Sequence, residues 1–373
     1  MKTIVHVITG LNDGGAEAAL YRLCTHDKSN HHHVISLMDG GKYGPMLEAR
    51  GISVSCINMP RGKLTLGGAW QLRGEIKRNF PDVVQTWMYH ADLMGGVAAR
   101  LAGVRNIVWG IHHTTLVSGE SSRATIMVMK LCARLSRIVP RRIICCAEKA
   151  RDVHAEKGYD RSRMRVVPNG HDVTIFRPDL KARYQIRNEL ELPDNLPVIG
   201  FVARFDPQKD HKNLLQALGN LKAKGLAPIC LLVGTNMNEA NRDLTAMIHD
   251  LGLNDQVKLL GLRNDIPAIM NALDLHVMSS AFGEAFPNVL CEAMACGTPC
   301  VTTDVGDASL IVGETGWVVP PRDRVALAKA IAQALDKRHT PDWKDRRDQA
   351  NDRINANFTI GGMVDNYNLV WNT

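Results

Sequence analysis

Two carboxylates, Glu284 and Glu292, are separated by seven residues in Phe282-Gly283-Glu284-Ala285-Phe286-Pro287-Asn288-Val289-Leu290-Cys291-Glu292. The loop chemistry of Gly283–Pro287 leads into a helical pattern that runs to about Cys296 and stops at Gly297. Glu284 therefore belongs to a loop and Glu292 to a helix, on a face otherwise made of Cys291, Ala293 and Met294. A carboxylate in such surroundings needs hydrogen-bond donors, and sugar hydroxyls are suitable ones. The stretch Phe286-Pro287-Asn288 stands where a helix begins, and the backbone N–H groups there, which Pro287 itself lacks, are open to anions. A buried structural carboxylate pair is the competing reading.

Upstream, Arg204 ends an apolar run, Gly200-Phe201-Val202-Ala203, and Lys209 lies five residues on. Two cations at the mouth of a sheet can converge on one diphosphate, Arg as a bidentate fork and Lys as a point charge. A solvated basic loop is the alternative. A third signal is the turn Thr9-Gly10-Leu11-Asn12-Asp13-Gly14-Gly15-Ala16-Glu17. Its glycines let backbone approach a phosphate or sugar at a helix start. The spacing is not that of a dinucleotide fingerprint, and a purely structural tight turn fits equally well.

These residues must be held by elements, and the chain supplies two series of them. Short β-branched runs (Ile4–Thr9, Val34–Met38, Ser53–Ile57, Val83–Thr86, Ile107–Ile111, Ile143–Cys146, Arg165–Val167) alternate with segments of helical length such as Ala69–Asn79 and Asp92–Ala102. The rhythm breaks at Pro168-Asn169-Gly170-His171-Asp172, and the next segment, about 180–196, is polar. It resumes at Val198–Ala203, Ile229–Gly234, Val257–Leu260, Leu273–Met278, Pro299–Thr303 and Trp317–Pro320. Alternation of this kind predicts parallel sheets. The fold class is α/β: two doubly wound Rossmann-like domains, 1–175 and 176–357, with ligand at the carboxyl ends of the strands in the cleft between them.

With 373 residues and 45% hydrophobic residues, the chain has the apolar mass for two cores. No apolar stretch is long enough to span a bilayer, and the N-terminus reads as a first strand rather than a signal peptide. Nine cysteines without a CxxC pair predict buried free thiols in a reducing compartment. Residues 1–178 carry a net charge of +11 and the remainder −4, so the first half is expected to face something anionic. In 120–142, Arg123, Lys130, Arg134, Arg137, Arg141 and Arg142 mix with Met127, Met129, Leu131 and Ile138, a pattern suited to an anionic membrane surface or to a core-packed helix with a basic edge. Six Tyr and seven Phe without basic–aromatic interleaving argue against nucleic acid. His31-His32-His33 reads as polarity at a strand entry. No Asp-x-Asp pair occurs, so no metal site is expected.

Taken together, Arg204, Lys209, Glu284, Glu292 and the segment Val167-Pro168-Asn169-Gly170-His171-Asp172 resemble the retaining glycosyltransferases of family 4, over nearly the whole chain. The resemblance implies the GT-B fold, with the first domain on the acceptor side, the second binding a nucleotide sugar, and a terminal helix at about 358–373 packing back on the first. It implies that Arg204 and Lys209 hold the donor diphosphate, Glu292 the ribose, and Glu284 with Phe286, Pro287 and Asn288 the transferred sugar. Gly15 would approach the diphosphate, and Leu262, Arg263 and Asn236 would edge the base. A histidine after the fifth strand would meet the donor sugar; His112 and His113 both stand there, with His112 favoured. The expected activity is metal-independent hexosyl transfer with retention, from a UDP-linked sugar to a glycan or lipid-linked acceptor in O-antigen or capsule-type envelope polysaccharide synthesis. It would need no cofactor beyond its nucleoside-diphosphate-sugar substrate. Its expected place is the cytoplasm, on the inner face of an anionic membrane. The rival readings are a nucleotide-sugar epimerase or phosphorylase on this fold, and a non-catalytic nucleotide-sugar-binding subunit.

Overall fold

The computed structural model describes residues 1–60, 65–114, 123–193 and 195–373. The chain divides into two compact units, Met1–Gly170 with Ile360–Thr373, and His171–Thr359. The division falls at Gly170, earlier than the 175 expected from turn chemistry. His171 N–H donates to Phe358 O at 2.9 Å and pairs with Thr359 in an isolated bridge, which ties it to the second unit.

Strands of the first unit are β1 (Thr3–Ile8), β2 (His31–Ser36), β3 (Ser53–Cys56), β4 (Val83–Trp87), β5 (Ile107–Ile111), β6 (Arg142–Cys145) and β7 (Met164–Val166). Its helices are α1 (Gly15–His26), α2 (Tyr43–Glu48), α3 (Leu66–Arg78), α4 (Tyr89–Leu101), α5 (Arg123–Leu135) and α6 (Glu148–Glu156). The sheet is parallel, in the order β3-β2-β1-β4-β5-β6-β7. Its central strands are apolar almost continuously because helices cover both faces, and β4 and β5 are buried throughout.

The second unit holds β8 (Val198–Val202), β9 (Ile229–Val233), β10 (Val257–Gly261), β11 (Leu275–Met278), β12 (Cys300–Thr303) and β13 (Trp317–Val319), parallel in the order β10-β9-β8-β11-β12-β13. Helices α7 (Leu180–Glu189), α8 (His211–Lys222), α9 (Arg242–Asp250), α10 (Ile266–Ala272), α11 (Asn288–Ala295), α12 (Ala308–Val312), α13 (Arg324–Lys337) and α14 (Asp342–Asn357) accompany it. The polar segment near 180 is thus a helix. Asp179 caps it, accepting from Ala182 N at 3.0 Å. Its arginines reach Asp274: Arg183 at 2.6 Å and Arg187 at 3.5 Å, with Arg338 at 3.2 Å. Burial pushes that carboxyl up, but Arg183, the Val198 N–H and Arg187 outweigh it and hold it below the usual range.

The terminal helix α15 (Ile360–Asn372) belongs to the first unit. Met363, Tyr367, Val370 and Trp371 recur at helical spacing and enter the first core. Trp371 Nε1–H donates to the buried Gln85 Oε1 at 3.1 Å, and its carbonyl accepts from Lys2 and Asn106. All nine cysteines are free, and all except the half-buried Cys56 are buried.

Candidate functional site

In each sheet the strand order reverses at a point where open α/β sheets take ligands, outside the carboxyl ends of the strands. In the second unit that point lies between β8 and β11. Lys209 follows β8 and Glu284 follows β11, and the two side chains form an ion pair, with Lys209 Nζ donating to Glu284 Oε1. Ser280 Oγ donates to the same oxygen at 2.8 Å. The backbone beneath is laced: Ser279 Oγ donates to the carbonyls of Lys209 and Asp210 at 3.0 Å, Ala281 N–H to Gln208 O at 2.8 Å, and Thr303 Oγ1 to Ser280 O at 2.6 Å. Asp210 is left-handed at φ +50°, which turns the chain from the Lys209 corner into α8, and its carboxylate caps that helix.

Gly306 shapes the same corner. Its φ is +58°, and a Cβ there would lie 2.4 Å from Glu284 O and 2.5 Å from Ala285 O. The Glu284 loop can pass only over a glycine. Phe286 and Pro287 are buried, and Phe286 packs edge-on to Phe358 with ring centroids 5.4 Å apart. Asn288 opens α11, which has no side-chain cap among the described residues, and Leu290 N–H donates back to Pro287 O at 3.1 Å. Glu292 lies half-buried inside α11.

Arg204 is half exposed, with Nε 3.1 Å from Asp206 Oδ2. Asn236 is left-handed at φ +63° beyond β9 and exposed. The adjoining Gly234 brings the chain against Ala203, whose carbonyl oxygen a Cβ would meet at 2.1 Å. Leu262 is 68% exposed beyond β10. Arg263, expected with Leu262 to edge the base, shares its guanidinium between Asp265, at 2.6 and 2.8 Å, and Glu189, at 2.7 Å. Leu262 and the backbone are what this segment leaves open.

In the first unit Gly15 is the exposed first residue of α1, whose N-terminus carries no side-chain cap among the described residues. His112 lies just beyond β5 and stacks on Trp87, rings 4.8 Å apart and 20° from parallel. Both of its ring nitrogens are buried and lack a hydrogen-bond partner among the described residues. Burial lowers its pKa to about 3, so the imidazole is neutral and offers one donor and one acceptor. His113 is placed differently, close enough to His154 for the two to interact electrostatically. His112 is the one of the pair that stacks on Trp87 and presents both ring nitrogens buried and uncommitted among the described residues.

The histidine run differs from a simple polar strand entry. His31 is exposed, but His33 Nε2 meets Ser55 Oγ at 3.0 Å, and His32 lies with His6 and Cys24 so that one ligand atom of each falls within 4.8 Å of the others. Trp87 Nε1–H donates to His6 Nδ1 at 3.2 Å, which leaves the His6 proton on Nε2, facing His32 Nδ1 at 2.9 Å. A metal would need the Nε2 lone pair that this tautomer lacks. His32 Nε2 in turn lies 3.2 Å from Asp27. The cluster is a hydrogen-bonded part of the core.

Sequence reasoning missed Ser279, Ser280 and Gly306. Small residues just past β11 and β12 were the available signal, but the partners they serve lie up to 70 residues away along the chain.

The first unit matches the family model described as Glycosyltransferase Family 4 over residues 13–175. The second matches that described as Glycosyl transferases group 1 over residues 182–354. The chain is 31% identical over 276 residues to the 2-deoxystreptamine glucosyltransferase of Streptomyces kanamyceticus, covering 70% of each chain. It is 29% identical over 310 residues to the putative glycosyltransferase EpsF of Bacillus subtilis, covering 81% of this chain and 79% of that one. A third relative, 28% identical over 265 residues (70% of this chain, 68% of the relative), is the UDP-Gal:alpha-D-GlcNAc-diphosphoundecaprenol alpha-1,3-galactosyltransferase of Escherichia coli. Anabaena HepE, solved in complex with UDP-glucose, superimposes with a TM-score of 0.85 at 24% identity over 98% of both chains. With both halves matched and the folds alike, this chain belongs to the family 4 glycosyltransferases and has their GT-B fold.

Proposed function

We propose that this glycosyltransferase moves a hexose from a UDP-linked donor to an acceptor hydroxyl, with retention of configuration and without a metal, in the synthesis of an envelope polysaccharide of O-antigen or capsule type. The observation that carries the reading is the Lys209–Glu284 pair, a cation and a carboxylate joined beside Arg204 at the β8–β11 switch point. The positive end of α11, a helix without a side-chain cap among the described residues, is assigned the phosphate, and Glu292 within that helix the ribose. UDP-glucose bound to Anabaena HepE and the UDP-galactose named for the Escherichia coli relative support uridine as the base. The diphosphoundecaprenol acceptor of that relative supports a lipid-linked acceptor here.

Glu284 is held by Lys209 and Ser280, which suits it to accepting sugar hydroxyls rather than to attacking carbon. Retention then follows from front-face displacement. The acceptor oxygen bonds to the anomeric carbon on the face from which the phosphate departs. The bond to the phosphate oxygen breaks, and that oxygen, stabilised by Arg204 and Lys209, takes the acceptor proton. His112, neutral and with both nitrogens uncommitted, is assigned a hydroxyl of the donor sugar.

The test is a panel of nucleotide sugars scored by thermal shift, since a ligand of the native state raises apparent stability. Donors that bind are then assayed for transfer to a lipid-diphosphate acceptor in excess EDTA. Stabilisation by UDP and a UDP-hexose, with transfer that survives chelation and an axial or equatorial anomer matching the donor, is expected. Preference for another base, epimerisation of the donor without acceptor, or activity restored only by magnesium or manganese would overturn the reading.

A further inference from the structure

The start of α4 and its N-cap residue Met88 grip the end of β5 from both sides of a single residue, Gly110. The ladder between β4 and β5 covers Val84↔Ile107 and Gln85↔Val108 and then stops. Beyond it, Gly110 N–H donates to Asp92 Oδ1 at 3.2 Å, and Gly110 O accepts from Met88 N–H at 2.9 Å. Asp92 N–H closes the turn on Met88 O at 2.8 Å. Thr86 Oγ1 donates to the same Asp92 oxygen at 2.5 Å and holds the carboxyl in place.

Two features show that this arrangement is maintained against resistance. Met88 sits at φ +73°, ψ 158°, a conformation that side chains rarely adopt, and it turns the chain there from the end of β4 into α4, which begins at Tyr89. Asp92 is fully buried, its second oxygen has no partner among the described residues, and burial lifts its pKa to about 8 despite the bonds from Thr86 and Gly110. An apolar residue would avoid that desolvation. Gly110 itself admits no side chain, because a Cβ would stand 2.6 Å from Thr86 O. Two residues beyond the gripped peptide is His112, stacked on Trp87 with its nitrogens uncommitted.

We propose that Asp92 is a positioning residue for sugar transfer, its Oδ1 fixing the Gly110 peptide and through it the place of the His112 imidazole. The inference rests on the reading that His112 meets the donor sugar. Asp92 touches no reacting atom and acts through the backbone. What matters is an oxygen acceptor at that point, not a negative charge.

The experiment is a double-mutant cycle on the full-length enzyme, with the donor identified by the panel above. Asp92→Asn keeps the acceptor and is expected to leave kcat within about threefold of the parent. Asp92→Ala is expected to lower kcat tenfold or more while UDP affinity by calorimetry is unchanged. His112→Ala should lower kcat at least as much, and the double variant no further, because one function is lost twice. Should Asp92→Ala fail to fold, Thr86→Val frees the carboxyl and is expected to give the same loss, again not additive with His112→Ala. Additive losses, or normal kcat in Asp92→Ala or Thr86→Val while His112→Ala is impaired, would overturn the positioning role. Full turnover of His112→Ala would remove the reading beneath it and the inference with it.

Discussion

Lys209 and Glu284 form an ion pair, with Glu284 8% exposed, so removing either takes away the other's counter-charge. Lys209→Ala should lower turnover by about a hundredfold to a thousandfold, the usual cost of losing a charge-assisted contact to a developing leaving group. Glu284→Gln keeps the shape but removes the charge, so turnover should fall more than UDP affinity. Glu292→Ala should instead weaken UDP, because the ribose belongs to donor and product alike. Calorimetry with UDP beside steady-state kinetics checks both, and the reverse pattern would exchange the two glutamates' roles. These residues could be read from the sequence because strand-end cations and carboxylates are chemically conspicuous. Arg263 could not be placed that way: its partner Glu189 lies 74 residues away, and nothing local announces that the guanidinium is already engaged.

Among elements, the corner after β12 decides whether Glu284 is presented at all. Gly306→Ala adds a methyl group against two carbonyl oxygens at a left-handed position, so the Glu284 loop must shift. The expected cost is about 1–3 kcal/mol of stability, with activity lost beyond what the fall in Tm explains. An active, equally stable Gly306→Ala would mean that the loop has room to spare. Strand and helix series were legible because apolar runs and turn residues are local signals. The helix α7 was not: its mean composition is polar, and it is fixed by Asp179 at its start and by Asp274, a residue of a distant strand entry, on its inner side.

Over the whole molecule, buried histidines set the response to acid. Burial lowers His6, His112, His154, His211 and His276, His112 and His276 to about 3 and His154 and His211 to about 4. As pH falls below about 6.5, the unfolded chain takes protons that the fold refuses, and stability drops. Asp92 has the opposite sign: raised to about 8, it keeps a proton that the unfolded chain has lost, so its term falls as pH rises toward 8. Below 6.5 these histidines, with His33 and His90 which burial also lowers, outweigh Asp92; above it, and below 8, the Asp92 term prevails among the described residues. Tm should therefore peak near pH 6.5, and Asp92→Asn should flatten the upper limb; a steady rise from pH 5 to 8 would contradict this.

The same scale carries the question of a membrane. No described helix is long and apolar enough to cross one. Met127, Leu131 and Ile138 are exposed beside the exposed Arg123, Lys130, Arg134 and Arg137, whereas Met129 faces the core and drops out of the expected surface. Residues 120–122 of that expectation lie outside the described residues. Each basic side chain near an anionic surface contributes about 1 kcal/mol, screened by salt. Sedimentation should show binding to anionic vesicles, release as salt rises, and none to neutral vesicles. Indifference to lipid charge would leave the basic face as solvated surface and favour a soluble acceptor.

By itself the sequence determined two α/β halves, the glycine turns and the cation–carboxylate set, because each is written in residues near one another along the chain. Tertiary structure decided which of them meet. It joined Lys209 to Glu284, engaged Arg263 elsewhere, and gave α15 to the first core through Trp371 and Gln85. It also separated His112 from His113, which adjacent positions cannot do on paper. The reason is physical: charge, turn propensity and periodicity are properties of a segment, whereas pairing, burial and orphaned nitrogens are properties of what packs against it.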